Sequence, residues 1–342
     1  MPLSKIKTNS VADEVFESRS NLIINGAMQV AVRGTVTGAT IAYGGADRYQ
    51  FARYGASVVT LSQDTDVPSN QGFSNSQKID VTTADSSLAA DDYAIVRQII
   101  EAQNLQHLLY GTSEAQKVTL QFWVKSPKTG THIVELYHGD ANYFNSQSYT
   151  IATADTWQKV TLTFDGYQTT SINNDNGFGL QVAWWLAAGS TYSGGTLSSN
   201  TWHNTAANRA VGQVNVMDST SNNFYLTGVQ LEVGEVATPF QHRSITQEKI
   251  DCFRYYYRYT TTDNPGTRNR WLFTIDDNDN YRRCTHTFPV VMRGTPAITT
   301  SFYGSPGSGR GTQHINCHGT DCWVDGESSY AYYTDLVADA EL

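Results

Sequence analysis

An all-β fold is what this sequence predicts: a jelly-roll β-sandwich, then a linking helix and a second small β domain. Three observations carry that expectation. Several segments alternate apolar and polar residues with period two, which sends one set of side chains to a core face and the other to solvent. Breaks rich in Asn, Asp and Gly separate those segments. Aromatics make up 12% of the chain and charged residues only 16%, so loop polarity comes from Ser, Thr, Asn and Gly while the aromatic and β-branched residues fill a core.

Taken in order, residues 1–20 are polar and lack a period, although Ser10 followed by Asp13 and Glu14 can open one short helix. They read as an N-terminal arm that attaches to another component. From Asn21 onward the pattern is strands. Val118, Leu120, Phe122 and Val124 alternate with Thr119, Gln121 and Trp123; Val160, Leu162 and Phe164 alternate with Lys159, Thr161 and Thr163. Phe178, Leu180, Val182 and Trp184 form a third set, and Tyr225, Thr227, Val229, Leu231 and Val233 a fourth. Tyr93–Ile100 stays open between strand and helix, with Gln103–Leu109 as a helical turn. Ser244-Ile-Thr-Gln247 has the pattern of a capping box, in which a hydroxyl and a Gln side chain satisfy each other's free N–H groups. Ile250, Phe253 and Tyr257 then share a helical face, and Asp263–Gly266 closes the helix with a turn. Strands resume at WLFTI, RCTHTF, AITTSFY and SYAYYTDL, with Gly304–Gly311 as a loop. The expected organisation is therefore an arm at 1–20, a jelly roll at 21–243, and a linking helix plus a C-terminal β domain at 244–342.

Composition excludes some functions. With 23 basic against 32 acidic side chains, the chain lacks the cationic excess that neutralises phosphates, so nucleic acid is not an expected partner. The longest apolar stretch, Val182–Ala188, is far short of the roughly 18 residues a spanning helix needs, so membrane insertion is not expected, and the polar start lacks the apolar region of a secretory signal. All four cysteines, Cys252, Cys284, Cys317 and Cys322, lie in the last third. Without an export signal they are expected as reduced thiols, with a Cys317–Cys322 disulfide as the alternative.

Four kinds of chemistry are weighed. His314, Cys317, His318 and Cys322, with Cys284 and His286 upstream, suggest zinc, but the paired-cysteine spacing of zinc sites is missing, so zinc is disfavoured and no metal ligands are assigned. Asp276–Asn280 and Asn173–Gly177 offer oxygen ligands; they read first as turns, with a structural calcium as the alternative. No cofactor is assigned. No carboxylate pair stands out for glycoside hydrolysis and no Gly-x-Ser-x-Gly elbow exists, so no residue is given a catalytic role. Sugar binding fits better, because sugar C–H faces stack on aromatic rings while amides and acids take the hydroxyls. Three clusters qualify: Trp184, Trp185, Tyr192, Trp202 and His203 in a long polar loop; Tyr137, His138 and Tyr143 near a Gly-Asp turn; and Trp323, Tyr330, Tyr332 and Tyr333 near the C-terminus. Adjacent strand residues face opposite ways, so at most one of Trp184 and Trp185 is expected in the core. Core packing or a subunit interface is the competing reading for each cluster.

Several strings also resemble a known family. Asn21–Gly34 (NLIINGAMQVAVRG) and Asp47-Arg-Tyr49 resemble the opening of a domain common in bacteriophage tail-fibre-like virion proteins, especially those of marine phages and cyanophages. Phe224–Gly234 (FYLTGVQLEVG) and Ala237–Ser244 (ATPFQHRS) look like its closing strand. Phe288–Pro296, Ala338–Leu342 and Met1–Asn9 resemble the segments around it. The resemblance implies a galactose-binding-like or carbohydrate-binding jelly roll on a virion appendage, usually a homotrimer, and transfers no ligand residue. It implies a virion location after assembly in the host cytoplasm. The expected partners are further copies of the chain, other virion proteins held by the arm, and host surface glycan. A head-decoration or fibre-adaptor role without glycan binding, and a glycan depolymerase, are the alternatives.

Overall fold

The computed structural model describes residues 21–260, 274–275, 281–303, 310–325 and 332–342. The chain divides at Arg243/Ser244 into two compact units. The arm at 1–20, the Asp263–Gly266 turn, the Asp276–Asn280 string and Tyr330 lie outside the described residues.

The first unit is a jelly-roll β-sandwich of thirteen strands among the described residues. They are β1 (Val36–Ala39), β2 (Ile41–Tyr43), β3 (Gln50–Tyr54), β4 (Val58–Asp64), β5 (Ser76–Thr83), β6 (Tyr93–Glu101), β7 (Val118–Lys125), β8 (Gly130–His138), β9 (Tyr143–Ile151), β10 (Gln158–Phe164), β11 (Phe178–Ala188), β12 (Trp202–His203) and β13 (Asn223–Val233). One sheet runs β1-β4-β5-β13-β7-β10 and the other β12-β9-β8-β11-β6-β3-β2, with antiparallel neighbours throughout. The period-two sets explain the core between them. Val118, Leu120, Phe122 and Val124 of β7 meet Leu180, Val182, Trp184 and Leu186 of β11, all at 0% exposure. Tyr93–Ile100 resolves as strand, and Ala102–Leu108 forms a 3-10 turn beneath it.

The fourth alternating set departs from expectation. Phe224 and Leu226 point into the core ahead of Gly228, and Val229 and Leu231 after it, while Tyr225 turns outward towards Lys125 and Trp157. The cause is a bulge: the register of β13 against β7 shifts between Thr227 and Gln230. Gly228 adopts φ +61° there, and a Cβ on it would sit 2.6 Å from the Phe73 ring.

The two ends of this unit are tied together through the strings singled out above. Leu22 N–H donates to Leu231 O (2.8 Å), Val229 N–H to Gly26 O (2.9 Å) and the Asn21 amide to Val229 O (3.0 Å). A Cβ on Gly26 would lie 2.1 Å from Val229 O, so only glycine permits the approach. Asn25, 1% exposed, donates to Val30 O and Asp47 O, and the Asp47 carboxylate accepts from Val32 and Arg33 N–H. Arg48, also buried, donates to Ile99 O at 2.7 Å. The Asn25 amide and the Asp47 carboxylate are thus paired with backbone, which lets loop backbone run next to the core.

The second unit opens with the helix Ile245–Phe253, capped by the Ser244 hydroxyl accepting from Gln247 N–H at 3.2 Å. The reciprocal half of the capping box is absent: the Gln247 side chain donates to Asp251 instead (2.8 Å). The buried face also differs from the expected one. Ile250 is 39% exposed, Glu248 and Cys252 are buried, and Tyr257 belongs to β14 (Tyr256–Thr260) because the helix stops at Phe253. The remaining strands are β15 (Thr274–Ile275), β16 (Tyr281–Thr287), β17 (Ala297–Tyr303), β18 (Arg310–Asn316), β19 (Gly319–Asp325) and β20 (Tyr332–Asp339). They form a β14-β20-β17 sheet and a β15-β16-β19-β18 sheet. The hairpin of β18 and β19 occupies the segment read as a metal candidate. No disulfide joins Cys252, Cys284, Cys317 or Cys322 in this structure.

One buried group sets a pH limit on the first unit. His132 is 0% exposed, stacked on Tyr149 (5.5 Å between centroids) with Nε2 3.0 Å from Lys128 O. Burial lowers its pKa to about 4, against the backbone hydrogen bond that opposes the shift. Between about pH 6.5 and 4 the unfolded chain therefore binds the proton and the folded chain does not, so stability falls as pH falls through that window. His132→Gln is expected to flatten a melting-temperature profile there, and an unchanged slope would show that other groups carry it.

Candidate functional site

The outer face of the seven-stranded sheet is not a bare surface. Tyr93, Ile95, Arg97 and Ile99 alternate outward along β6, Gln181, Ala183 and Trp185 along β11, and Glu135 and Tyr137 along β8. Register aligns Gln50, Arg97, Ala183, Glu135 and Ser146 in one row across five strands. Above the sheet lies the excursion between β11 and β13. It opens with one helical turn, Ser190–Ser193, and folds back on itself through Ala210 N–H to Tyr192 O (2.9 Å) and Gly195 N–H to Ala207 O (2.9 Å). Ala210 and Leu197 then pack on Ile95, Ile133, Ala183 and Trp185 as a second, smaller apolar cluster.

Arg209 pins that excursion down. Its Nε and Nη2 donate to the two oxygens of Glu135 at 2.9 and 2.7 Å, and Ser146 Oγ donates to the same carboxylate at 3.3 Å. Glu135 has no solvent exposure. The guanidinium lies 3.8 Å above the Phe144 ring and 5.2 Å from Trp185. Burial pulls the Arg209 pKa down, but the Glu135 charge and hydrogen bonds outweigh it and leave the pKa raised. Two parallel charge-assisted bonds fix both angle and height of the loop.

What remains open between loop and sheet is a pocket of about 170 Å³. Trp185, 1% exposed, is its floor. Tyr93, Tyr137 and Tyr192 are its half-buried walls, with Arg97, Gln181 and Arg209 supplying donors and acceptors. Tyr93 meets Tyr192 edge-on at 5.6 Å, and Tyr192 lies 5.4 Å from Trp185. The sheet opposite carries a wider concavity of about 330 Å³ where Trp123 and Phe240 face Lys159, Gln121 and His242.

The expected sugar-binding residues separate on this map. Trp185, Tyr192 and Tyr137 come together at the pocket. Trp184 does not: it is 0% exposed, packed on Phe122 and Tyr49. Both tryptophans of the pair are thus largely closed off from solvent, Trp184 by the second sheet and Trp185 by the excursion and the pocket walls. Both also belong to β11 and not to a loop. Trp202 is half-buried against Tyr110 and Tyr167, and its indole N–H donates to Asp165 O at 2.7 Å, a structural position. Tyr143 packs at a tilt against Tyr167, 5.1 Å between ring centroids, in the same group of rings. His203 sits 6.1 Å from Phe144, its pKa lowered by burial. Trp323 lies in the second unit, over Gly311 of the neighbouring strand. The Tyr333 side chain is outside the described residues, as is Tyr330. Among the described residues no three of His, Cys, Asp and Glu converge as metal ligands. The Asn173–Gly177 string makes turns instead: Asp140 accepts from Asn173, and Asp175 accepts from Gly177 N–H at 2.8 Å.

Tyr93, Arg97, Gln181, Arg209 and Glu135 were not anticipated. Arg97 had a signal, as a charge in the middle of a strand face whose neighbouring positions are Tyr93, Ile95 and Ile99. Arg209 and Glu135 are 74 residues apart, and no local pattern joins them.

No protein-family model matches the sequence, and no curated protein matches it at a significant level. Solved structures do match in shape. One is the enzymatically active domain of bacteriophage CBA120 tailspike protein 4, at 14% identity and TM-score 0.34, covering 63% of this chain and 21% of that one. A family 11 carbohydrate-binding module from Clostridium thermocellum, in complex with a mixed-linked β-1,3-1,4 tetrasaccharide, matches at 10% identity and TM-score 0.30, covering 59% of this chain and 99% of the module. TmCBM61, in complex with β-1,4-galactotriose, matches at 8% and 0.31, covering 63% and 99%. The chain thus spans about a fifth of the length of the tailspike chain. At such identities and scores, function has to be read from the pocket itself. Among the described residues no helix is long and apolar enough to cross a membrane.

Two substitutions test this geometry. Glu135→Ala strands the Arg209 charge and is expected to cost about 3–5 kcal/mol, with hydrogen exchange rising first across 189–213. Trp202→Ala removes packing and a buried donor and is expected to cost about 2–4 kcal/mol; an unchanged melting temperature would place Trp202 outside the structural network.

Proposed function

We propose that the sandwich binds a glycan in the pocket on the outer face of its seven-stranded sheet. The observation that carries this is the pairing of half-exposed tyrosine walls over Trp185 with donors and acceptors already held in place. Tyrosine rings take the apolar faces of a sugar, and Arg97, Gln181 and Arg209 take its oxygens at little further entropic cost, because partners already fix them. A pocket of about 170 Å³ suits a single sugar ring, so each site is weak by itself.

Binding without cleavage fits the chemistry of the site. Hydrolysis needs an acid pair across the glycosidic bond. The pocket lining presents none, and Glu135 behind it is buried and committed to Arg209. The resemblance of the Asn21–Gly34 and Phe224–Ser244 strings to phage virion proteins supports a place for the chain on a tail-fibre-like appendage, attached through residues 1–20. Three chains per assembly convert weak sites into useful avidity.

Tyr137→Ala and Tyr192→Ala are each expected to weaken binding on a host-glycan array by about tenfold, equal to roughly 1.4 kcal/mol, with the melting temperature little changed. Full binding by both variants would remove the pocket from consideration and turn attention to the Trp123 concavity. Mass measurement in solution is expected to show three chains. Deleting residues 1–20 is expected to leave the sandwich folded but keep it off particles, and normal incorporation would show that the arm is not the anchor.

A further inference from the structure

The pocket holds two guanidinium groups in unlike surroundings. Arg209 is neutralised by Glu135. Arg97 meets only neutral amides: its Nε–H donates to Gln50 Oε1 at 2.7 Å and its Nη1–H to Gln181 Oε1 at 2.9 Å. Among the described residues it has no ion-pair partner. Gln50 is its register partner on β3, and Gln181 comes from β11 on the other flank, so the side chain is held from both neighbouring strands. A guanidinium has five N–H donors; two are used here, three remain, and Arg97 lines the pocket.

An ordered, half-buried charge without a counter-charge is costly to the fold. It loses hydration, and a long side chain loses rotamer freedom. The two guanidinium groups and one carboxylate around the pocket leave one positive charge uncompensated. The chain as a whole carries −9, so this positive spot is a local feature and not part of a general basic surface.

We propose that the sugar taken by this pocket is anionic, and that its carboxylate or sulfate is bound by the free edge of the Arg97 guanidinium. The assignment rests on the glycan-binding reading above and narrows it. The planar fork donates to two oxygens of one acidic group side by side, a geometry that a lysine or an amide cannot supply. The ring bearing the group then lies against Tyr93 and Tyr137, which line the same pocket as Arg97.

The test is calorimetric titration of the full chain with matched acidic and neutral oligosaccharides. The pairs are trigalacturonate and its carboxyl-reduced form, sialyllactose and lactose, and a sulfated galactose oligosaccharide and its desulfated form. At least one acidic member is expected to bind about tenfold or more tightly than its neutral partner, and whether it is carboxylated or sulfated identifies the group. Arg97→Gln is expected to collapse that ratio towards one, and Arg97→Lys to restore only part of it. Equal affinity within every pair overturns the anionic assignment and leaves glycan binding standing. An acidic preference that survives Arg97→Gln also overturns it. Binding to none of these, nor to a broad glycan array, sinks the glycan reading as well. The wild-type ratios decide the matter even if Arg97→Gln does not fold.

Discussion

The pairing of Glu135 with Arg209 is the contact on which the functional face depends. A carboxylate with no solvent exposure is stable only because a fork of two donors and a serine hydroxyl satisfy it. That requirement brings the long excursion after β11 down onto the sheet and positions Tyr192 opposite Tyr93 and over Trp185. Without it, the outer face would be a flat row of Gln50, Arg97, Ala183 and Glu135 with no pocket. The sandwich supplies the platform and one buried ion pair converts it into a site.

The paired polar corner around Asn25, Asp47 and Arg48 does comparable work at the opposite level of the fold. It orders the loop that follows the entering segment and bonds to Ile99 of β6, while Asn21, Leu22 and Gly26 fasten that segment to the leaving strand, β13. Gly26 and Gly228 make the close approach and the bulge possible. The strings that resemble virion proteins coincide with these constraints, which explains why they describe architecture and name no ligand.

Much of the architecture was legible in the sequence because it depends on local periodicity. The alternation in β7, β10 and β11 put the correct side chains in the core, except for Phe178, which lies before a register shift in β11 and packs on Tyr137 instead. Alternation failed at β13 because a bulge changes the phase, and in the helix at 245–253 because Ile250 is exposed while Glu248 and Cys252 are buried. The site was legible only in part. Aromatic density drew attention to Trp185, Tyr192 and Tyr137, yet the same signal pointed to Trp184 and Trp202, since composition does not distinguish a sugar platform from core packing. The charged partners were hidden because a contact between residues 135 and 209 is set by the tertiary fold alone.

The most direct measurement is a two-dimensional NMR titration that follows the tryptophan indole N–H and arginine Nε–H signals as oligosaccharide is added. A pocket on the seven-stranded sheet predicts that the signals of Trp185, Arg97 and Arg209 shift together with ligand while those of Trp184 and Trp202 stay in place. Shifts confined to Trp123 or Trp323, with the Trp185 and Arg97 signals unmoved, would contradict the account and relocate binding to the opposite sheet or to the second unit.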